Sequence, residues 1–126
     1  MIKLYNTNLE TNKLESVDTY TRGTWIHMVD PSEEEIKEVC QNVNIKEDFI
    51  RYALDNEEKA RIDVEDEDDT ILFIIDIPVT EKSQSGGYMY ATMPIGMIVV
   101  RDDFFITVTL RAVSYTHLRA HETEAD

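Results

Sequence analysis

The sequence predicts an α/β domain built on a mixed β-sheet covered by helices, and three observations point there. Thr24 to Val29 reads as a buried strand running straight into a capped helix. Ile71 to Ile77 is a nearly continuous apolar run ended by Pro78, the pattern of a central strand covered on both faces. Met93 to Val100 and Phe104 to Leu110 are two further apolar strands, and Arg101-Asp102-Asp103 between them is short enough to make a hairpin. A strand leading into a helix that folds back on it calls for a layered architecture, because each element has an apolar side to bury.

Composition narrows the function classes. The 126 residues are 42% hydrophobic, enough for one domain with its own core. Lys and Arg total 12 against 26 Asp and Glu, a formal net charge of -14. Such a surface repels phosphate backbones and acidic lipid, so no nucleic-acid partner and no polybasic membrane attachment is expected. Cys40 is the only cysteine, which excludes an internal disulfide and a cysteine-based zinc site. It falls on the apolar stripe of a helix, where cysteine behaves as a small hydrophobe, and a reducing compartment fits. Met1-Ile2-Lys3 is not followed by a long apolar core, so no secretory signal is read. The longest apolar run, Met93 to Val100, contains Pro94 and Gly96 and is far short of the ~20 residues that cross a bilayer. The chain as given is expected to be soluble.

In order, Ile2 to Tyr5 makes a first strand, Asn6 to Lys13 turns the chain, and Leu14 to Val17 pairs back. Asp18 to Gly23 connects into the Trp25 strand. Asp30 is then the predicted N-cap of the first helix, with Pro31 at the first helical position and Glu33 closing a capping box. Ile36, Val39, Cys40 and Val43 fall at i, i+3, i+4 and i+7, one buried stripe. Asn42 and Asn44 break that helix, and Asn44 with Glu47 predicts a second cap. The helix it opens carries Phe49, Ile50, Ala53 and Leu54 on one face and Asp48, Tyr52 and Asp55 on another, ending near Asp55. Arg61 to Glu65 alternates with period two, as a half-buried strand should, and Asp66 to Asp69 is a tight acidic turn. Thr80 to Thr92 contains Ser83, Ser85, Gly86 and Gly87 and is expected to be a mobile surface loop.

With these elements in place, the chain resembles the cytoplasmic N-terminal domain of the CorA family of magnesium and divalent-cation transporters over residues 1–110. The resemblance rests on Trp25-Ile26 followed by Asp30-Pro31 and an acidic helix start, then Leu54-Asp55 leading into Glu57-Glu58-Lys59-Ala60-Arg61-Ile62-Asp63. The strand pair Pro94-Ile95-Gly96-Met97-Ile98 and Phe105-Ile106-Thr107-Val108 completes it. It implies an αβα sandwich whose C-terminal helices are missing here, assembled as a homopentamer on the cytoplasmic side of the cell membrane. The membrane is reached only through two later transmembrane helices, with a Gly-Met-Asn signature at the pore mouth. Gly96-Met97 is followed by Ile98 inside a predicted strand and is not that signature. Magnesium, cobalt, nickel and zinc transport are all open within the family. Residues 111–126 depart from it: Val113 to Glu124 resembles translated sequencing-adapter read-through, so a non-native tail is expected. His117 and His121 sit at i, i+4 there, without the His-Glu-x-x-His order and without a third ligand.

No enzyme is read from these residues. There is no nucleophile elbow and no Gly-rich phosphate loop after a strand, and His27, the one histidine before the tail, has no identifiable catalytic partner. The acidic residues carry the one positive chemical signal, because magnesium takes hard oxygen ligands and keeps several waters while touching one or two carboxylates. Asp63 to Asp69 is not a calcium loop, since Asp68 stands where a glycine is required and Ile74 where a bidentate glutamate belongs. The resemblance implies inhibitory magnesium bound between neighbouring cytoplasmic domains, partly through a carboxylate on the second helix. The matching position here is Tyr52, and Asp48 and Asp55, on the same helical face, are the candidate regulatory magnesium ligands in its place. Against that stands an Arg51–Asp55 pair at i, i+4 on a merely solvated face. The leading expectation is therefore a truncated regulatory domain of a CorA-like transporter, gated by magnesium between subunits. The alternative is a free-standing acidic protein-interaction module. A sheet so apolar with only two convincing helices also predicts that one of its faces is partly bare.

Overall fold

Seven strands and two helices are present in the computed structural model, which describes residues 1–55 and 59–112. They run β1 (Ile2–Asn8), β2 (Lys13–Val17), β3 (Thr24–Val29), α1 (Glu33–Val43), α2 (Glu47–Leu54), β4 (Arg61–Glu65), β5 (Thr70–Lys82), β6 (Tyr88–Val100) and β7 (Phe104–Thr109). The strands form one sheet in the order β2-β1-β3-β7-β6-β5-β4. All neighbours are antiparallel except β3 and β7, which run parallel with Ile26 opposite Ile106. The sheet is therefore mixed, as the sequence predicts. The expected tail, residues 111–126, lies almost entirely outside the described residues.

The core lies between the sheet and both helices. Ile36, Val39, Cys40 and Val43 of α1 and Phe49, Ile50 and Ala53 of α2 are buried, so both apolar stripes face inward as their spacing requires. They meet Leu4, Ile26, Met28, Leu72, Ile74, Ile98, Val100, Ile106 and Val108 from one side of the sheet. Gly96 lets α2 come this close: a Cβ there would lie 2.2 Å from the Ala53 Cβ. Cys40 is in this core, where burial pushes its thiol up to about 11.

The other side of the sheet carries no helix among the described residues. Its positions follow from the register: Trp25, Phe105, Val99, Ile71 and Val64 form one cross-strand row, and His27, Thr107, Met97, Phe73 and Ile62 form the next. Ile62, Val64, Ile75 and Phe105 are exposed there, and Ile71, Phe73, Met97 and Val99 are half-buried. The apolar half of β4 thus points away from the helices, while Arg61, Asp63 and Glu65 share the helix side. Among the described residues only the helix side of the sheet is covered by helices, although Val29, Met93 and Thr109 at one end of the other side are buried.

Several local expectations are corrected. The N-cap of α1 is Ser32, not Asp30: the Ser32 hydroxyl accepts from the Glu35 N–H at 3.2 Å, and the Glu35 carboxylate accepts from the Ser32 N–H at 2.9 Å. Asp30 instead has φ 42° and donates its N–H to the Thr109 carbonyl, turning the chain off the sheet. Glu35 also accepts from the Met1 ammonium at 2.9 Å, which favours the later box. Asn44 does not cap α2, because it is spent as the left-handed C-cap of α1; Lys46 stands at the N-cap with no side-chain bond. Strand β5 does not end at Pro78, and among the described residues helices cover only one of its faces. It continues to Lys82, and β6 begins at Tyr88, so the expected loop from Thr80 to Thr92 is mostly a two-stranded ribbon closed by Ser83 to Gly87. Pro78 and Pro94 lie past the last residues paired to β4 and β7, where each strand has an unpaired edge and a missing N–H costs no ladder bond.

Candidate metal site

Helix α2 carries both candidate ligands. Asp48 is in its first turn and Asp55 is its C-cap, and both are exposed. Seven residues of α-helix separate them by roughly 10 Å along the axis, at about 1.5 Å per residue. A magnesium ion holds its oxygens at about 2.1 Å, so one ion cannot touch both carboxylates of one chain. The structure therefore places them on one helix without bringing them together. Among the described residues, no group of three or more His, Cys, Asp and Glu side chains is arranged to hold a metal.

What surrounds Asp48 is a notch of about 330 Å³ between α2 and β4, lined by Lys46, Phe49, Tyr52, Asp63, Val64 and Glu65. Its acids come from two elements, because β4 turns its charged residues to the helix side. Its charge is mixed. Lys46 lines it, and the Arg61 guanidinium sits 5.1 Å from the Tyr52 ring centre while its Nε lies 2.9 Å from Asp63. A cation beside an aromatic face is held by the ring quadrupole. Tyr52, where the resemblance implies a carboxylate, is thus taken up with a cation of the chain's own.

The expected Arg51–Asp55 pair is not what Arg51 makes. Its guanidinium reaches Glu33 of α1 through both terminal nitrogens, at 3.0 and 2.5 Å, and Glu47 at 3.2 Å. These bonds hold Glu33 below the usual carboxylate range and Arg51 above its own. The fork joins the two helices on their outer side, and its weight in stability is small because it is exposed to water. Sequence spacing shows the Glu47 partner at i, i+4 but gives no hint of Glu33. Arg101 was missed in the same way: it donates to the Val43 carbonyl at 2.6 Å and the Asn44 carbonyl at 3.4 Å, closing the C-terminus of α1.

A polar trio stands on the open face of the sheet. Trp25 Nε1 donates to Thr107 Oγ1 at 2.9 Å, and His27 Nδ1 lies 2.9 Å from the same oxygen. The Thr107 hydroxyl, with the indole N–H on one lone pair, can donate to Nδ1 or accept from it, so the direction of that bond follows the His27 tautomer. Burial, then Lys3, lowers the His27 pKa from its ordinary value. No helix of the described residues is long and apolar enough to cross a membrane.

Comparisons with known proteins give a family match and a fold match. The model of the family described as CorA-like Mg2+ transporter protein matches residues 21–125. The soluble domain of CorA from Methanocaldococcus jannaschii is similar in structure, with TM-score 0.72 and 20% identity over 100% of this chain and 47% of that one. The complete CorA magnesium transporter of the same organism matches with TM-score 0.66 and 18% identity, over 99% of this chain and 37% of that one. The chain therefore spans less than half the length of either. No curated protein matches it by sequence.

Proposed function

The chain belongs to the CorA-like Mg2+ transporter family, and from that premise we propose that it forms the sheet-and-helix part of a regulatory domain in a magnesium or divalent-cation transporter. The family match over residues 21–125 is the observation that carries this reading. The parent sits in the cell membrane as a homopentamer, with this segment on the cytoplasmic side. Magnesium is both its cargo and its regulator. The ion binds between neighbouring copies, with Asp48 and Asp55 each supplying one carboxylate to a different interface and the neighbour supplying the rest. The separation of the two residues along α2 supports that division, since a single chain offers no complete site to one ion. Regulation follows by population shift. An ion bound more tightly by the closed assembly than by the open one holds the pore shut, and its loss releases it.

A chimera tests this reading. Residues 1–110 of this chain replace the matching segment of the Methanocaldococcus jannaschii transporter, and magnesium flux is measured at low and high internal magnesium. Flux that falls as internal magnesium rises, and no longer falls after Asp48→Asn with Asp55→Asn, is the expected result. A chimera that assembles and conducts, yet closes equally well without both carboxylates, removes them from the site.

A further inference from the structure

A second cleft, of about 410 Å³, opens at the β1–β2 end of the sheet, on the side that carries the helices. Ile2, Leu4 and Val17 form its floor, and Tyr20, Glu38 and Asn42 wall it from the loop after β2 and from the outer face of α1. Its opening follows from the register. Met1 and Val29 exchange both main-chain bonds, at 2.9 Å each, so pairs alternate along β1 and the N–H and C=O of Ile2 and Leu4 point to the β2 side. Leu4 meets Val17 there, but β2 ends at Val17, and no described residue takes the place opposite Ile2 on that side. Ile2 therefore presents one donor and one acceptor along the edge of β1.

The charged side chains around that position are carboxylates. Tyr20 donates its hydroxyl to Glu38 Oε2 at 2.9 Å, and Glu38 Oε1 has no partner among the described residues. Asp18, on the rim, makes no ion pair and no hydrogen bond among the described residues. Lys3 borders the cleft, but alternation turns its side chain to the other face of the sheet, towards His27. Facing residues of a ladder point to the same side, so a residue added opposite Ile2 directs its side chain to the helix side, into the cleft that Asp18 and Glu38 line.

We propose that this cleft binds an extended segment of another polypeptide, one that places an arginine or lysine opposite Ile2. The added residue makes two main-chain bonds with Ile2, in the manner of a strand joining a sheet edge. Its aliphatic stem lies on Ile2, Leu4 and Val17, and its cationic head meets the Asp18 and Glu38 carboxylates. The net charge of -14 draws the same chemistry from a distance. A cleft of this volume takes one long side chain with its peptide unit, so the binding is weak and local. Strands β1 and β2 precede residues 21–125, the span that the family model matches, so the proposal stands or falls apart from the transporter reading.

Titration of the isotope-labelled 126-residue chain with acetyl-Val-Arg-Val-amide, followed by NMR, tests it. The amide signals of Leu4, Val17, Asp18 and Tyr20 shift together and saturate, while those of α2 stay in place. Asp18→Asn with Glu38→Gln weakens binding roughly tenfold, and so does glutamine in place of the peptide's arginine. The same change of charge made elsewhere, by Glu67→Gln with Asp76→Asn, leaves binding unaltered. Methylating the arginine amide nitrogen of the peptide removes its main-chain donor and weakens binding several-fold. No saturable shift at millimolar peptide overturns the proposal, as do shifts that the Asp18 and Glu38 variant leaves unchanged. Equal binding by the methylated peptide overturns strand addition at Ile2.

Discussion

At Gly96 the missing side chain is the contact. Because a Cβ would fall 2.2 Å from the Ala53 Cβ and 3.4 Å from its Cα, Gly96→Ala cannot be absorbed by a rotamer change. It has to lift α2 off the sheet. Overpacking of this kind costs roughly 1–3 kcal/mol, so the urea midpoint should fall with an unchanged slope. Ala53→Gly in the same chain should restore part of that loss, though the helix itself loses about 1 kcal/mol. His27 makes a second prediction at this scale. Its folded pKa lies below 6.5, so between those values the unfolded chain binds the extra proton and stability falls as pH drops from 7 through 6.5 and below. His27→Gln should flatten the thermal melting temperature across that window. Lower still, Glu33 and Glu35, both held below the usual 4.5 by their hydrogen bonds, add a further loss as pH falls through and beneath that value, and the substitution leaves this untouched.

At the scale of elements, the two capping signatures before α1 show what a sequence decides and what it leaves open. Asp30-x-x-Glu33 and Ser32-x-x-Glu35 are equally good boxes by residue type. The choice between them is tertiary: Glu35 also meets the Met1 ammonium, and Asp30 is needed at positive φ to bend the chain from β3. Ser32→Ala should therefore cost about 1 kcal/mol, while Asp30→Asn, which keeps a residue tolerant of that backbone, should stay within roughly 0.5 kcal/mol. Chemical denaturation of the two variants distinguishes the boxes. The apolar spacing of α1 was legible, because Ile36, Val39, Cys40 and Val43 must share one side of any helix they form. The Ser- and Gly-containing stretch misled, because Tyr88 to Met93 are good strand formers whose partner strand lies across only a five-residue turn. The candidate site was legible only in part. Asp48 and Asp55 share a helix face in any helical reading, but Arg61 over Tyr52 and Glu33 on Arg51 are contacts between elements distant in sequence.

For the whole molecule, a net charge of -14 on a domain this small makes added sodium chloride a stabiliser, since screening relieves the repulsion among its carboxylates. A specific magnesium site must show itself above that background. A site with a dissociation constant of about 1 mM, at about 10 mM magnesium, would add about 1.4 kcal/mol, because only the folded state binds. In a domain of this size that raises the melting temperature by several degrees. The described residues hold no cluster that meets magnesium's demand for several converging oxygens, and the two carboxylates on α2 are too far apart to share an ion. Magnesium chloride should therefore raise the melting temperature of the 126-residue chain by no more than calcium-free sodium chloride does at the same ionic strength. Asp48→Asn with Asp55→Asn should leave that comparison unchanged. A magnesium-specific rise of several degrees that disappears in the double variant would place a complete site within one chain, contrary to ligation shared between neighbours.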